Sequence, residues 1–218
     1  MTNLETDLLA SGCWHGHSAI VVGGGPSLRG FNFDSLKGWL TIGTNRAFEF
    51  FTPTILLSLD ARFYQWVHEG KYGDDAFVKL ARYKGIRVGI RINRKYIPGT
   101  LEIKSLGEKG PIVPIEQGIY HGNNSGYSAI ALALALGADP VYSLGIDLRY
   151  DGEVTHHHGG HPERTPERNL FDRCILPFIE LSERVEGKRV KIVNPCWPGD
   201  VFSKVGGLFE VVPFPEKK

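Results

Sequence analysis

The sequence lacks the features that mark secreted, membrane-spanning or disulfide-bonded proteins. Its three cysteines, Cys13, Cys174 and Cys196, are odd in number and lack the spacing of metal ligands, so we interpret them as reduced thiols. No apolar run approaches the length of a membrane span, and residues 1–12 lack the basic start and continuous apolar segment of a secretory signal. These absences predict a cytoplasmic protein without a membrane span.

Charge of one sign is also scarce. The net charge is +1, from 25 basic and 24 acidic residues, and this balance gives no electrostatic reason to expect nucleic acid as a partner. The sequence contains no internal repeat and no low-complexity tract. Its 218 residues, 42% of them hydrophobic, are enough for one sizeable core. We therefore expect residues 1–218 to form a single domain, whose apolar tail at 211–215 covers its own core or a neighbour in a homo-oligomer.

The most informative segment is an apolar run at residues 19–22 that leads directly into Gly23-Gly24-Gly25-Pro26-Ser27. Glycines let a backbone approach a ligand closely, and exposed N–H groups at such a turn can hold a phosphate. Two familiar phosphate loops do not fit. A dinucleotide fingerprint starting at Gly23 needs a glycine where Leu28 stands, and the Lys-Ser/Thr pair of a Walker loop is absent. The segment predicts a phosphate-binding loop of another kind.

The rest of the chain alternates short apolar runs with helical or glycine-rich segments. Residues 125–136 form the clearest helix, capped by Asn124 or Ser125 and ended by Gly137. A second helix is expected at residues 170–185, where Pro177 ends or kinks it. Apolar runs without alternation are typical of strands covered on both faces. The predicted strands are residues 18–22, 40–43, 54–59, 87–90, 141–146 and 189–193.

This order of elements predicts an α/β fold, Rossmann-like and doubly wound, with a mainly parallel sheet and helices on both faces. Polar residues follow several of the predicted strands, where such folds bind ligands. Each has a structural alternative as a turn residue or helix cap, but their shared placement favours a site. The candidates beside the glycine loop are Asn45, Asp60, Asn124, Ser125, Gly126, Gly145, Asp147 and Arg149.

The order of these motifs resembles the bacterial sialyltransferases of glycosyltransferase family 42. The resemblance rests on Gly-Gly-Gly-Pro-Ser-Leu, Thr44-Asn45-Arg46, Asn124-Ser125-Gly126, Leu144-Gly145-Ile146-Asp147 and Gly160-His161. It implies a nucleotide-sugar donor, a glycan or small-molecule acceptor, and no required metal or other cofactor.

The resemblance also implies roles for individual residues. The glycine loop (Gly23, Gly24, Gly25 and Ser27) and the Asn124-Ser125-Gly126 motif would seat the nucleotide. Asn45 and Asp147 would orient its phosphate or ribose, and Gly145 would belong to the same nucleotide-binding set. His161 would act as the general base. Arg149 is a candidate on its own chemistry, because its guanidinium could stabilise the leaving phosphate, although it could equally be a solvated surface residue. The sequence departs from that family at Gly24, where the family usually has Asn, and at Arg149, Tyr150 and Thr155, where the family's phosphate-binding tyrosines are not clearly present.

Two other functions remain open at the level of sequence. The Gly-Pro-Ser-Leu, Ser-Leu-Asp and Leu-Gly-Ile-Asp-Leu motifs also resemble the 6-hydroxymethylpterin diphosphokinase-like family, which implies pyrophosphoryl transfer from ATP with Mg²⁺ held by Asp60 and Asp147. A non-catalytic nucleotide- or glycan-binding module is the third possibility.

Residues 151–168 are polar, rich in glycine and proline, and contain His156-His157-His158-Gly159-Gly160-His161. A long loop beside a site often acts as a lid, and we expect this one to do so. Three interpretations of its histidines stay open: a solvated loop without specific function, a catalytic base at His161, or capture of a transition metal.

Overall fold

The structure, a computed structural model, describes residues 9–91, 99–149, 154, 156–159, 162, 170–185, 189–193 and 204–216. Over these residues the chain forms one β-sheet with four α-helices and several short 3-10 turns. The strands are β1 (Ala19–Val22), β2 (Leu40–Thr44), β3 (Ile55–Ser58), β4 (Ile86–Arg91), β5 (Leu101–Gly107), β6 (Ile119–Tyr120), β7 (Val141–Leu144), β8 (Val190–Val193) and β9 (Glu210–Val212). The helices are α1 (Ala61–His68), α2 (Asp74–Ala81), α3 (Ser125–Ala135) and α4 (Leu170–Arg184), and the 3-10 turns are Pro26–Leu28, Phe33–Leu36, Asn45–Glu49 and Lys204–Gly207.

The strand order locates the crevice of the sheet. The order is β6-β5-β4-β3-β2-β1-β7-β8-β9, and each neighbouring pair is parallel. The direction of winding reverses between β1 and β7, and doubly wound sheets bind ligands beyond the carboxyl ends of the strands at such a reversal. β1 and β7 are paired from Ala19 opposite Val141 to Val22 opposite Leu144, so both strands end at the same level.

Both faces of the sheet are covered, which confirms the predicted doubly wound α/β class. On β1, Ala19 and Val21 belong to the large core cluster that includes α3 and α4. Ile20 and Val22 belong to a second cluster, on the opposite side of the strand. The second cluster is covered by 3-10 turns and aromatic side chains. Helices α1 and α2 pack against Leu56 of β3 in a separate cluster. In the described part of the chain, no helix is long and apolar enough to cross a membrane.

The helix at residues 125–136 is confirmed as α3, and its sequence explains its position. Asn124 is the N-cap, and its side-chain oxygen accepts a hydrogen bond from the N–H of Tyr127 at 3.0 Å. Nearly all of its residues are buried, so it is a central helix rather than an amphipathic one. Pro177 was expected to end or kink the second helix, and it does not end it, because α4 continues through it. Phe178 and Leu181 are buried beyond the proline, and their packing compensates for the missing backbone hydrogen bond.

The six predicted strands are confirmed within one or two residues at each end, but three strands were not predicted. β5 mixes apolar residues with Glu102, Lys104 and Ser105, β6 has two residues, and β9 lies at the edge of the sheet. Short or half-exposed strands lack the continuous apolar run that marked the central ones. The tail does cover the protein's own core, because Val212 and Phe214 pack against the second cluster.

Candidate functional site

The glycine loop after β1 and the loop after β7 are joined directly. The N–H of Gly23 donates to the carbonyl oxygen of Leu144 at 2.8 Å, and the N–H of Gly25 donates to that of Gly145 at 2.8 Å. Gly145 has a left-handed backbone with φ of 70°. A β-carbon on Gly145 would meet the side chain of Leu28, so the two loops are also packed closely. The structure thus brings together the segments that the sequence placed at one edge.

Asp147 fastens the glycine loop. Its carboxylate accepts hydrogen bonds from the N–H and from the hydroxyl of Ser27, both at 2.7 Å. The side chain is buried, and burial raises the pKa of Asp147 above its usual range, against the opposing effects of the Ser27 hydrogen bonds and the charge of Arg149. Both carboxylate oxygens therefore have a partner inside the protein, and the donors of Ser27 are occupied.

The space above Gly25 is filled by Asp147. Gly25 has φ of −65° and ψ of 159°, a conformation open to every residue. A β-carbon at this position, however, would collide with the Asp147 carboxylate and lie 2.8 Å from the carbonyl oxygen of Gly145. The absence of a side chain at Gly25 allows Asp147 to reach Ser27.

Helix α3 begins beside the same loops. A β-carbon on Gly126 would lie 2.9 Å from the side chain of Ile146, so the first turn of α3 packs against the loop after β7. Asn124 caps the helix, and the N–H of Ser128 donates to the Asn124 carbonyl oxygen at 2.9 Å. Within the described residues, the hydrogen bonds leave the N–H groups of Gly24, Ser125 and Gly126 without an acceptor. First-turn N–H groups of a helix favour an anion.

Asn45 and Asp60 follow β2 and β3 at the same edge of the sheet. The side-chain oxygen of Asn45 accepts from the Ser58 hydroxyl at 2.9 Å. Asp60 caps α1 by accepting from the N–H of Arg62 at 2.9 Å, and its carboxylate also pairs with the Arg62 guanidinium at 2.9 Å. The carboxylates of Asp60 and Asp147 are thus each engaged by other groups.

Three non-glycine residues of the described chain have left-handed backbone conformations, and all lie at this edge. They are Asn45, Asn123 and Leu148, with φ of 48°, 49° and 48°. Such conformations are unfavourable for residues with a β-carbon, above all for leucine, and occur often at binding sites. The backbone strain is thus located at the carboxyl edge of the sheet.

Residues 156–158 of the predicted lid lie on the glycine loop. The N–H of His157 donates to the carbonyl oxygen of Gly24 at 3.0 Å, and the His157 ring packs on Phe50 with centroids 4.6 Å apart. A β-carbon on Gly24 would lie 3.0 Å from His156 and 3.1 Å from His158. Burial lowers the pKa of His157. We call residues 156–158 the histidine cover.

Two predicted site residues remain, Arg149 and His161. Arg149 lies in the loop after β7, and its positive charge partly opposes the rise in the pKa of Asp147 that burial causes. His161 lies outside the described residues, so its role as a base stays a prediction. Among the residues described, no group of three or more His, Cys, Asp or Glu side chains is placed to hold a metal ion.

One residue of the site was missed in the sequence. His121 is buried just before α3, and its Nδ1 accepts from the N–H of Asn123 at 3.0 Å. A single histidine in a turn gives no distinctive pattern. Its position two residues before the strained Asn123 becomes meaningful only once the turn is seen.

No family model and no curated protein sequence matches the chain. A solved structure, that of the sialyltransferase CST-II in complex with a trisaccharide acceptor and CMP, is similar to it with a TM-score of 0.48 and 14% sequence identity. The similarity covers 90% of this chain and 86% of that chain. The likeness is one of overall fold, and it gives no information about the activity of the present chain.

The contact between Asp147 and Ser27 leads to a first prediction. In Asp147→Asn the amide oxygen can accept from the Ser27 N–H while the amide nitrogen donates to the Ser27 hydroxyl, so we expect a loss below about 1 kcal/mol at pH 7. Asp147→Leu leaves both Ser27 groups buried without a partner and is expected to cost about 3 kcal/mol. Urea unfolding of both variants measures these values.

The same variants test the pKa of Asp147. The pKa of Asp147 is higher in the folded protein than in the unfolded chain. Protonation of Asp147 therefore stabilises the folded protein, and this contribution is fully present below the ordinary aspartate pKa of about 4. The contribution is lost as the pH rises through the raised pKa of the folded protein. We therefore expect the stability of the natural protein to increase relative to Asp147→Asn as the pH is lowered across that window. A constant difference between pH 7 and pH 4 would contradict the assignment.

Proposed function

We propose that the protein is a nucleotide-dependent transferase that binds its nucleotide beyond the carboxyl ends of β1 and β7. Within that class, we propose a glycosyltransferase that takes a nucleotide-sugar donor and a glycan or small-molecule acceptor and requires no metal ion. The nucleotide site is supported chiefly by one observation: the glycine loop, the loop after β7 and the start of α3 are contiguous at the point where the winding reverses.

The chemistry of this edge suits a phosphate. The N–H groups of Gly24, Ser125 and Gly126 have no acceptor among the described residues and are therefore candidate donors to a phosphate. The partial positive charge at the start of α3 adds to them. Ser27 instead acts indirectly in this proposal, since its donors hold Asp147 and so set the shape of the loop.

The reaction is proposed from the sequence motifs. His161 would remove the proton from an acceptor hydroxyl as its oxygen attacks the anomeric carbon of the sugar. The bond from that carbon to the phosphate oxygen breaks, and its electron pair leaves with the phosphate. Arg149 would stabilise the negative charge that develops there. The histidine cover must move for a donor to reach Gly24, because His156 and His158 lie directly over that residue.

The diphosphokinase alternative requires Asp60 and Asp147 to share Mg²⁺. The residues do not fit this role well, because Asp60 pairs with Arg62 and both oxygens of Asp147 accept from Ser27. Binding of ATP with magnesium is therefore an outcome of the test and not a second proposal.

A thermal-shift panel tests the function. CMP, UDP, GDP, ADP and ATP are each added with and without Mg²⁺, since a ligand that binds the native state raises the melting temperature by mass action. We expect stabilisation by CMP that is unchanged when Mg²⁺ is replaced by EDTA. Stabilisation by ATP that needs Mg²⁺ would support the kinase instead, and no response to any nucleotide would contradict both enzymes.

A matched pair of variants tests whether the nucleotide-induced rise in melting temperature comes from binding at the glycine loop. The nearest atoms to a β-carbon at Gly24 belong to the side chains of His156 and His158. Gly24→Glu brings a negative charge to the proposed phosphate position, whereas Gly24→Gln brings the same bulk without charge. We expect the glutamate variant to lose the nucleotide-induced shift and the glutamine variant to retain more of it, with both folded in the absence of ligand.

A further inference from the structure

His121 lies at the start of a tight turn that leads into α3. Its N–H donates to the carbonyl oxygen of Gly107 at 3.0 Å, and its own carbonyl oxygen accepts from the N–H of Asn124 at 3.2 Å. Between them, Gly122 and Asn123 have φ of 60° and 49°. Positive φ at both central residues defines a type I′ turn, which asparagine adopts only at some cost.

The His121 side chain holds this turn in place. Its Nδ1 accepts from the N–H of Asn123 at 3.0 Å. A ring nitrogen that accepts a hydrogen bond carries no proton, so His121 is the neutral tautomer with its hydrogen on Nε2. Protonation would put a second N–H on the ring, directly facing the N–H of Asn123. The turn is thus compatible with one protonation state of His121.

This turn also fixes the position of the first residues of α3. The Ser128 hydroxyl donates to the His121 carbonyl oxygen at 2.7 Å, and the Asn124 side chain caps the N–H of Tyr127. A β-carbon on Gly122 would collide with the ring of Tyr127. His121, the turn and the first turn of α3 are therefore one packed unit, and Ser125 and Gly126 lie within it.

We propose that neutral His121 is a positioning residue of the nucleotide site, and that its protonation weakens binding of the nucleotide phosphate. The inference rests on the proposed function and adds a regulation to it. His121 acts through Asn123 and Asn124 on the orientation of the Ser125 and Gly126 N–H groups. Phosphate binding is thus strong while the imidazole is neutral and decreases as the pH falls.

The surroundings of His121 favour the neutral form at pH 7. Burial lowers the pKa of His121, and the negative charge of Glu108, which follows β5, raises it by a smaller amount. Three described groups that hydrogen-bond with His121 are neutral: the Gly107 carbonyl oxygen at the end of β5, the Asn123 N–H of the turn and the Ser128 hydroxyl of α3. The decrease in affinity is therefore expected at mildly acidic pH.

Calorimetry with CMP tests the proposal on three variants between pH 5 and pH 8. His121→Asn retains an acceptor near the position of Nδ1 but cannot titrate, whereas His121→Leu has no acceptor. His17→Asn, at an exposed position before β1, is the control. At pH 7.5 we expect His121→Leu to bind CMP about tenfold more weakly than the natural protein, and the other two variants to bind normally.

The pH profile separates positioning from simple packing. Below the His121 pKa, the natural protein and His17→Asn should lose up to about tenfold in affinity per pH unit relative to His121→Asn. The affinity of His121→Asn changes with pH only through the titration of CMP and of groups other than His121. The ratio of its affinity to that of the natural protein therefore gives the effect of protonating the His121 imidazole. Equal profiles for His121→Asn and the natural protein would overturn the proposal even if His121→Leu fails to fold.

A measurement without ligand distinguishes this inference from the proposed function. Long-range ¹H–¹⁵N spectra of the histidine rings should show His121 protonated at Nε2 only, with the Asn123 amide shifting as that ring titrates. If neither CMP nor any other nucleotide of the thermal-shift panel binds at any pH while these spectra are as expected, the proposed function is contradicted and His121 still holds the turn. An Nδ1–H tautomer, or an Asn123 amide that ignores the titration, would overturn the role of His121 itself.

Discussion

Replacing Gly25 by alanine is expected to destabilise the protein by about 3 kcal/mol or more. The added methyl group would collide with the Asp147 carboxylate and crowd the Gly145 carbonyl oxygen. Overpacking of this kind costs about 1–3 kcal/mol, and displacing the carboxylate also leaves the two buried Ser27 donors without a partner, at about 1–3 kcal/mol each. Urea unfolding at pH 7 measures the loss.

The neighbouring glycine supplies a matched control. In Gly24→Ala the nearest atoms to the new methyl group belong to two histidine side chains, so we expect a change within about 1 kcal/mol. A double-mutant cycle with Asp147→Ala identifies the cause, because the two losses should be strongly less than additive when the collision is with that carboxylate. Additive losses, or equal stability of the two glycine variants, would contradict the proposed contact.

Replacing His161 by alanine is expected to lower the transfer rate by a factor of about 10² to 10⁴. A general base that faces the acceptor contributes to the reaction step and little to donor affinity, so nucleotide binding should be unchanged. Alanine at His156, His157 or His158 is expected to alter access to Gly24 without comparable loss of rate. Donor hydrolysis and transfer, measured beside a binding assay, compare the four variants.

The same four variants distinguish the hypothesis that the protein is an enzyme from the hypothesis that it is a non-catalytic binding module. If the natural protein turns over and His161→Ala matches it, His161 is not the base. A larger loss at His157 than at His161 would move the catalytic role to the histidine cover. A natural protein that binds nucleotide but is inert with every donor and acceptor would support the binding module.

The central fold was predictable because its residues carry local patterns. β1 and β7 are short apolar runs ended by glycine, and α3 has a cap, a continuous apolar body and a terminal glycine. The outer strands carry no such pattern: Glu102 and Lys104 interrupt β5, and β6 is too short to show one. Their pairing comes from the neighbouring strand and not from their own composition.

The site could be predicted as a set of segments but not as a set of contacts. Gly25 and Asp147 were both expected at one edge, with Gly25 open to a ligand. The structure instead fills that space with Asp147, through a contact with Ser27 that spans 120 residues of sequence. The sequence order of strand ends predicts which loops meet, whereas the direction of a single carboxylate depends on packing across both loops.

The most direct test of the nucleotide site is a ¹H–¹⁵N correlation spectrum of the labelled protein titrated with CMP. The account predicts the largest amide shifts at Gly24, Ser125 and Gly126, whose N–H groups have no acceptor among the described residues, and small shifts at His17 and Ala138 on the opposite edge of the sheet. Saturating CMP that leaves these three amides unmoved, or that shifts chiefly the opposite edge, would contradict the account.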